Sequence, residues 1–454
     1  MSRRVREHLK TALIAVLMLS LLTLTFAIWL LDSPVTREDT GGLAWLAAAL
    51  GLVSPQPESI SIVVDNTYQE AALPAVFVWT RHGRHWSAPR DAALRDSAYH
   101  NMKDTLGAAL GSAGQPAAPQ AAEAWCVALS ADGIYLEFTA PLPLPALSLW
   151  LAAEEASLPD VPVRRLALVA QGLVLSLWFI DENDGMPYSC QTAMPAQTIA
   201  DDPPRGFAPC RFGFETEGYQ RAAYSLFFDE EPQPRAAVYT PATLTPPVVA
   251  AFLSQLDINP STYACITQED GSTTYFSGMR YCQFARRERI RYVAPPDGQE
   301  RDSDGAPVAA PQRFMEIETA RALLAALSPL VGEGRLGFFA VVADVADDVV
   351  ADVVAEDAET PGAAAMTVTF IYELDGLPVF LSEGPPAVFT FQGGQLIEAD
   401  IRILAFSVHE EYTPLIPEAT AYLLFGGQHP SGDFDLRLVY TEEEGRLTVG
   451  WGGM

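Results

Sequence analysis

The sequence predicts an α+β protein, with an N-terminal transmembrane helix followed by extracytoplasmic modules of antiparallel sheet packed by helices. Residues 11–31 carry no charged side chain and, as a helix, reach about 30 Å, the thickness of a bilayer's hydrocarbon core. Beyond them, short runs alternate apolar and polar residues between Gly, Pro and Asp turns, the pattern of antiparallel strands. A helical stripe followed by a group of such strands occurs twice, as expected where helices cover one face of a sheet.

The anchor is oriented by charge. Arg3, Arg4, Arg6 and Lys10 precede the apolar run and Asp32, Glu38 and Asp39 follow it, so the N-terminus is expected in the cytoplasm and the rest outside. A cleaved signal peptide is the alternative, with Thr25 and Ala27 as a small-x-small pattern. The run continues through Trp29 and Leu31, however, past the roughly 7–15 apolar residues of a signal core. Ser20, Thr23 and Ala27 share one helix face, where small residues and hydroxyls fit a transmembrane partner; the same hydroxyls can instead bond back to their own helix. Residues 43–53 are apolar but too short to span, and suit a core helix or one lying at the interface.

The 454 residues allow roughly three domains. A hydrophobic share of 49% against 19% charged residues excludes a disordered chain. Lys and Arg total 28 against 57 Asp and Glu, and the net charge of -29 excludes a sequence-independent grip on nucleic acid. Stretches rich in Pro, Gly and Ala at 111–123, in part of 231–247 and at 294–311 read as loops or linkers. They suggest a cytoplasmic tip at 1–10, the anchor at 11–31, a first extracytoplasmic α+β segment at 32–120 and a mainly antiparallel segment at 121–232. A helix-plus-hairpin module at 233–297 and a C-terminal α+β domain at 312–454 follow.

Within the first segment, strands are expected at 59–64 and 76–80, then a helix from near Ser97 with Met102, Leu106, Ala109 and Leu110 on one face and Gly111 past its end. In the second, Ile134, Leu136 and Phe138 alternate with Tyr135 and Glu137, Pro145 opens a short helix, and strands 166–170 and 173–180 meet across Gln171-Gly172. The turn 181–185 leads into a strand at 186–193. Thr245 as N-cap and Pro246 begin a helix with Val249, Phe252, Leu253 and Leu256 on one stripe. Strands 263–267 and 275–284 flank Asp270-Gly271, and 289–293 extends the sheet. Ile317, Ala320, Leu324 and Leu327 mark another amphipathic helix, and strands are expected at 337–343, 366–374, 377–381, 387–391 and 396–404. A helix at 417–425 and a hairpin of 436–440 with 446–451 close the chain. The acidic Ala/Asp/Val stretch 341–358 reads as an exposed, mobile insertion.

No motif here points to catalysis. Gly332, Gly334 and Gly337 spell G-x-G-x-x-G, but a helix precedes them and a strand follows, the reverse of a dinucleotide-binding turn. His82 and His85 lack a third metal ligand nearby and flank Gly83, so they read as a turn. Asp181, Asn183 and Asp184 miss the EF-hand spacing. There is no G-x-S-x-G, P-loop or H-E-x-x-H, and scattered carboxylates able to pair as in a glycosidase do not discriminate in so acidic a chain. We therefore expect no catalytic residue, metal or cofactor. The widely spaced Cys126, Cys190, Cys210, Cys265 and Cys282 read as buried small hydrophobes, although Cys190 with Cys210, or Cys265 with Cys282, could pair in an oxidising compartment.

The segments TFIYELDGLPVF, VFTFQGGQLIEADI and LRLVYTEEEGRLTVGW, with the hairpin DGSTTYFSGMRYCQFARRERIRY, follow one another in a layout that, with the basic tip and single anchor helix, resembles the YycH/YycI-type regulatory proteins of Gram-positive bacteria. The chain departs from them in its acidity, its Asp/Ala/Val insertion and its near absence of lysine, with only Lys10 and Lys103. The resemblance implies a non-enzymatic, single-pass membrane protein whose helix and ectodomain contact a WalK-type sensor histidine kinase and a sister single-pass regulator. An extracytoplasmic envelope-binding or polymer-processing protein is the alternative, and it requires a deep cleft with converging carboxylates.

Overall fold

The computed structural model describes residues 73–88, 92–151, 153, 158–199, 202–229, 233–259, 265–285, 289–295, 310–338, 343–345, 365–428, 434–443 and 445–453, all within the compact unit Val63–Met454. The expected anchor helix with Ser20, Thr23 and Ala27, and the strand expected at 59–64, lie outside the described residues. No described helix is long and apolar enough to cross a membrane. The described part is a mixed α+β fold of antiparallel sheets packed by short helices.

The first sheet uses β1 (Val76–Arg81), β2 (Arg84–Ser87), β3 (Gly133–Pro143), β4 (Pro162–Gln171), β5 (Val174–Asp181), β6 (Met186–Pro195), β7 (Ala208–Phe212) and β8 (Leu226–Phe228), in the order β6-β5-β4-β3-β1-β2-β7-β8. Both of its faces are covered. Phe77, Ile134, Leu136, Leu168 and Leu177 pack on one side with Tyr99, Met102 and Leu106 of α1 (Ala92–Gly111) and with Leu147 of α3 (Leu144–Trp150). On the other, Val78, Tyr135, Ala167 and Trp178 pack under Trp125 and Leu129 of α2 (Ala122–Leu129). Two-sided burial explains why β5 reads as an almost unbroken apolar run rather than an alternation.

The turns follow local chemistry. His82 and Gly83 join β1 to β2, both with positive φ (51° and 66°), the requirement of a two-residue type I′ hairpin that matches strand twist. The loop between β4 and β5 is Gly172-Leu173, because Gln171 pairs with Val174; it lies one residue beyond the expected Gln171-Gly172. Asp181 to Gly185 is a turn, closed by the Gly185 N–H on the Asp181 carbonyl at 2.8 Å and by the Asn183 N–H on Asp181 Oδ1 at 2.9 Å. The helix expected from near Ser97 begins at Ala92: Ala92, Ala93 and Leu94 are strong helix formers, and Ser97 is an interior position.

The second sheet runs in the order β10-β11-β12-β13-β19-β18-β16-β17-β21-β22, with β14 and β15 also on β16. Its strands are β10 (Cys265–Thr267), β11 (Thr273–Ser277), β12 (Arg280–Ala285), β13 (Arg289–Val293), β14 (Arg335–Phe338), β15 (Ala343–Val345), β16 (Ala365–Leu374), β17 (Leu377–Phe380), β18 (Ala387–Gln392), β19 (Gln395–Arg402), β21 (Leu436–Glu443) and β22 (Arg446–Gly453). A separate pair joins β9 (Arg235–Pro241) to β20 (Leu404–Tyr412). Phe252 and Leu253 of α4 (Pro246–Gln255) and Ile317, Leu323 and Leu324 of α5 (Ala310–Ala325) pack on Phe284, Val368 and Phe389. These residues share one hydrophobic core with the α1 face of the first sheet. Helix α6 (Glu418–Gln428) sits on β21 and β22 through Ala421 and Tyr422.

Three expectations need correction. The strand expected at 275–284 is two strands, split at Gly278-Met279, where Gly278 has a φ of 64°. Within 231–247, read in part as a linker, residues 235–241 form β9, whose one proline, Pro241, is its last residue, opposite Leu404. Within the acidic stretch, residues 343–345 form β15, and the remainder lies outside the described residues. Thr245 is the N-cap of α4, as expected, with Pro246 in the first turn, and its side chain makes no cap bond.

The cysteine pairings are excluded by topology. Cys190 on β6 and Cys210 on β7 are separated by five intervening strands; at about 4.8 Å per strand they are roughly 29 Å apart. Cys265 on β10 and Cys282 on β12 both stand opposite Tyr275 of β11, about 10 Å apart, beyond the Cα separation a disulfide spans. All five cysteines are free thiols. Thiol titration of the denatured, unreduced protein should therefore return five equivalents per chain; a value of three would refute this arrangement.

Candidate functional site

The two sheets meet at a buried network of charges. Glu137 lies on the α2 face of β3, directly opposite Arg165 of β4 in the strand register. In a regular strand Arg164 would point to the other face. The pairing slips between Glu137 and Leu142 on β3 and between Val163 and Leu166 on β4, and such an irregularity re-aims side chains. Both guanidiniums thereby reach one oxygen: Arg164 Nε is 3.3 Å and Arg165 Nε 3.2 Å from Glu137 Oε1.

The second sheet supplies the rest. Arg437 of β21 contacts the same Glu137 oxygen, and Asp435, just before β21, pairs with Arg165 and lies 3.5 Å from Arg164 Nη2. The Tyr135 hydroxyl donates to Glu137 Oε2 at 3.0 Å, and the Arg165 guanidinium stacks 4.5 Å from the Tyr224 ring centre. With Glu137 only 1% exposed, burial favours its neutral form, but Arg437, Arg165, Arg164 and the Tyr135 hydroxyl outweigh burial and hold its pKa at about 2. Burial and the neighbouring Glu137 push the Tyr135 phenol well above its usual range, so it stays protonated and remains a donor. Glu182, at the edge of the group, is pushed up chiefly by burial.

A cleft of about 100 Å³ opens beside the network, lined among others by Glu137, Tyr224, Leu377, Glu418, Arg437 and Trp451. Its deep carboxylate, engaged by three guanidiniums and with a pKa held at about 2, is ionised at neutral pH and carries no proton for general-acid work there. What the network does is join sheets: β3 and β4 of the first are tied to β21 of the second, and separating them would strand unpaired charges. Glu442 makes a smaller tie, accepting from the Ser382 N–H and hydroxyl at 3.2 Å and from the Tyr239 hydroxyl.

The histidines diverge. His82 lies in the β1–β2 turn, and its backbone N–H donates to Asp132 Oδ1, just ahead of β3, at 2.6 Å. His85 is buried, with Nδ1 2.9 Å from Thr80 Oγ1 and Nε2 3.0 Å from Glu215 Oε1, its ring edge-on to Phe212 at 5.0 Å. Thr80 is 2% exposed, so this Thr–His–Glu line is closed to a substrate. Gly332 sits in the turn after α5, ahead of β14. Among the described residues no three His, Cys, Asp or Glu side chains are grouped to hold a metal. None of the network residues was singled out from the sequence as a functional candidate. Adjacent arginines inside an otherwise apolar strand were the available signal.

No protein-family model matches the chain, and no curated protein matches it. Among solved structures it is similar to the crystal structure of YycH from Bacillus subtilis, with a TM-score of 0.50 and 9% identity, covering 84% of this chain and 96% of that one. A likeness to an uncharacterized protein from Eubacterium rectale, with a TM-score of 0.31, 12% identity and coverage of 48% and 75%, is too slight to carry argument. The chain therefore has, at a coarse level, the fold of YycH, and the resemblance read from its strand order holds at the level of fold.

Proposed function

We propose that this chain is a non-enzymatic, membrane-anchored regulator that contacts a sensor histidine kinase, and a sister single-pass protein, through its transmembrane helix and its extracytoplasmic part. The observation that carries this reading is the fold likeness to YycH over 96% of that chain. The basic tip and uncharged run 11–31 support a single-pass topology with a cytoplasmic N-terminus. Regulation would be a population shift: contact with one kinase conformation biases signalling only by the difference in affinity for the two.

Ser20, Thr23 and Ala27 form the partner face of the helix in this reading. The full-length protein purified from its host in mild detergent should carry a histidine kinase with it. Replacing Ser20, Thr23 and Ala27 together by leucine should reduce the co-purified kinase about tenfold, equivalent to a loss of roughly 1.4 kcal/mol. Undiminished recovery with the triple variant removes the helix contact from the proposal, and absence of any kinase from the wild-type preparation removes the proposal itself.

A further inference from the structure

The cleft beside the charge network is built between the two sheets. Val76 of β1, Ser87 of β2 and Leu226 of β8 line it from the first, Leu377 of β17 and Leu438 of β21 from the second. It opens because β17 joins β21 only at Tyr440, the partner of Val379, which leaves residues 436–438 of β21 paired in the ladder with β22 alone. The two walls are tied together. Arg95, 3% exposed on α1, donates through Nη1 to the carbonyls of Ala75 at 3.2 Å and Gly376 at 3.3 Å, one on each wall, and the Leu436 N–H reaches Ser225 Oγ at 2.7 Å. A pocket already formed between packed layers is where small ligands bind.

The polar groups of this cleft are incompletely used. Arg437 meets both Glu137 and Asp435 through Nη2; its Nε and Nη1 make no hydrogen bond among the described residues, and its side chain is 13% exposed. Ser225, 4% exposed, accepts from Leu436 and has no acceptor for its own proton among the described residues. The two lie together, since Leu436 precedes Arg437 in the chain. Positive charge is in excess there: Arg164, Arg165 and Arg437 contact two carboxylates, Glu137 and Asp435. Glu182 makes no ion pair with them, and burial pushes its pKa up. Besides Glu137, whose oxygens are taken by the guanidiniums and the Tyr135 hydroxyl, the carboxylate lining the cleft is Glu418, at the start of α6.

We propose that the cleft binds a free α-amino acid with a small apolar side chain. Its carboxylate takes the unused donors of Arg437 and Ser225, its ammonium faces Glu418, and its side chain lies against Leu226, Leu377, Leu438 and Trp451. Size and charge select this occupant. A space of about 100 Å³ is below the roughly 150 Å³ that admits benzene in an engineered cavity, so the ligand is small and one molecule reaches both ends. A simple anion would meet Glu418 and a simple cation the guanidiniums; a zwitterion matches both, and being neutral it is not repelled by a body of net charge -29. The site stands on the cleft and does not depend on the kinase reading.

The test is isothermal titration calorimetry of the full-length chain in mild detergent with L-valine and L-leucine, and with the amide and the N-acetyl derivative of whichever binds tighter. Saturable binding of the free amino acid is expected, at least about tenfold tighter than that of either derivative, because the amide lacks the carboxylate and the acetyl group removes the ammonium. Glu418→Gln should weaken the free amino acid severalfold and leave the weaker binding of the N-acetyl derivative unchanged, a pattern that a misfolded variant would not give. No saturable binding of either amino acid, derivatives that bind as tightly as the parent, or equal binding of the amino acid by wild type and Glu418→Gln would overturn the proposal.

Discussion

Replacing Glu137 by alanine should destabilise the protein by about 3–5 kcal/mol, the usual cost of removing one partner from a buried ion pair. The change leaves Arg164, Arg165 and Arg437 in a region where Asp435 is the one carboxylate still in direct contact, and deprives Tyr135 of its acceptor. The same residue sets a pH dependence. Its pKa is depressed from the usual carboxylate value to about 2, so its stabilisation is fully present above the unfolded-state pKa near 4.5 and is lost as pH falls towards 2, a contribution of about 3 kcal/mol. Urea unfolding followed at pH 7 and then from pH 5 to 2.5 tests both parts, with Glu137→Ala expected to lose less stability over the acid range than wild type. Arg437→Met should be less than additive with Glu137→Ala, because the two side chains share one interaction. A Glu137→Ala midpoint within error of wild type at pH 7 would show that the network does not hold the sheets together.

How far this arrangement could be read from the sequence depended on whether a segment's neighbours lay close in the chain. Strands β16 to β19 are joined by short turns at Asp375-Gly376 and Gly393-Gly394, and their alternation alone located them. Pro246 placed α4, and Pro145 placed α3, within a residue. By contrast β20 runs into the polar sequence His-Glu-Glu-Tyr and pairs with β9, far back in the chain; neither strand has a local pattern that demands the other. The charge network was hidden for the same reason. In β3 the alternation sets Tyr135 and Glu137 apart from the apolar face without saying what lies over them, and α2 and the second sheet cover that side. The unbroken apolar run of β5 held the clue, since a sheet buried on both faces tolerates a charge only when it is paired.

Trp125 provides the second large effect, because it is the largest apolar side chain that α2 brings to that covered face, beside Leu129. The helix has eight residues, too few to be stable without tertiary contacts, and its N-cap makes no side-chain bond. Trp125 is fully buried, with ring centres 6.3 Å from both Tyr135 and Trp178. Trp125→Ala should therefore cost about 3–5 kcal/mol. The loss should also have a local signature that a generic core defect would lack: with α2 loosened, Tyr135 becomes hydrated and its phenol, held high first by burial, should titrate nearer pH 10. Denaturant unfolding gives the first quantity, and ultraviolet titration of the folded variant, with Trp125→Ala/Tyr135→Phe as reference, isolates the second. If the stability falls while Tyr135 stays silent to alkali, α2 is not what keeps water from the Tyr135–Glu137 pair, and the second sheet alone must do so.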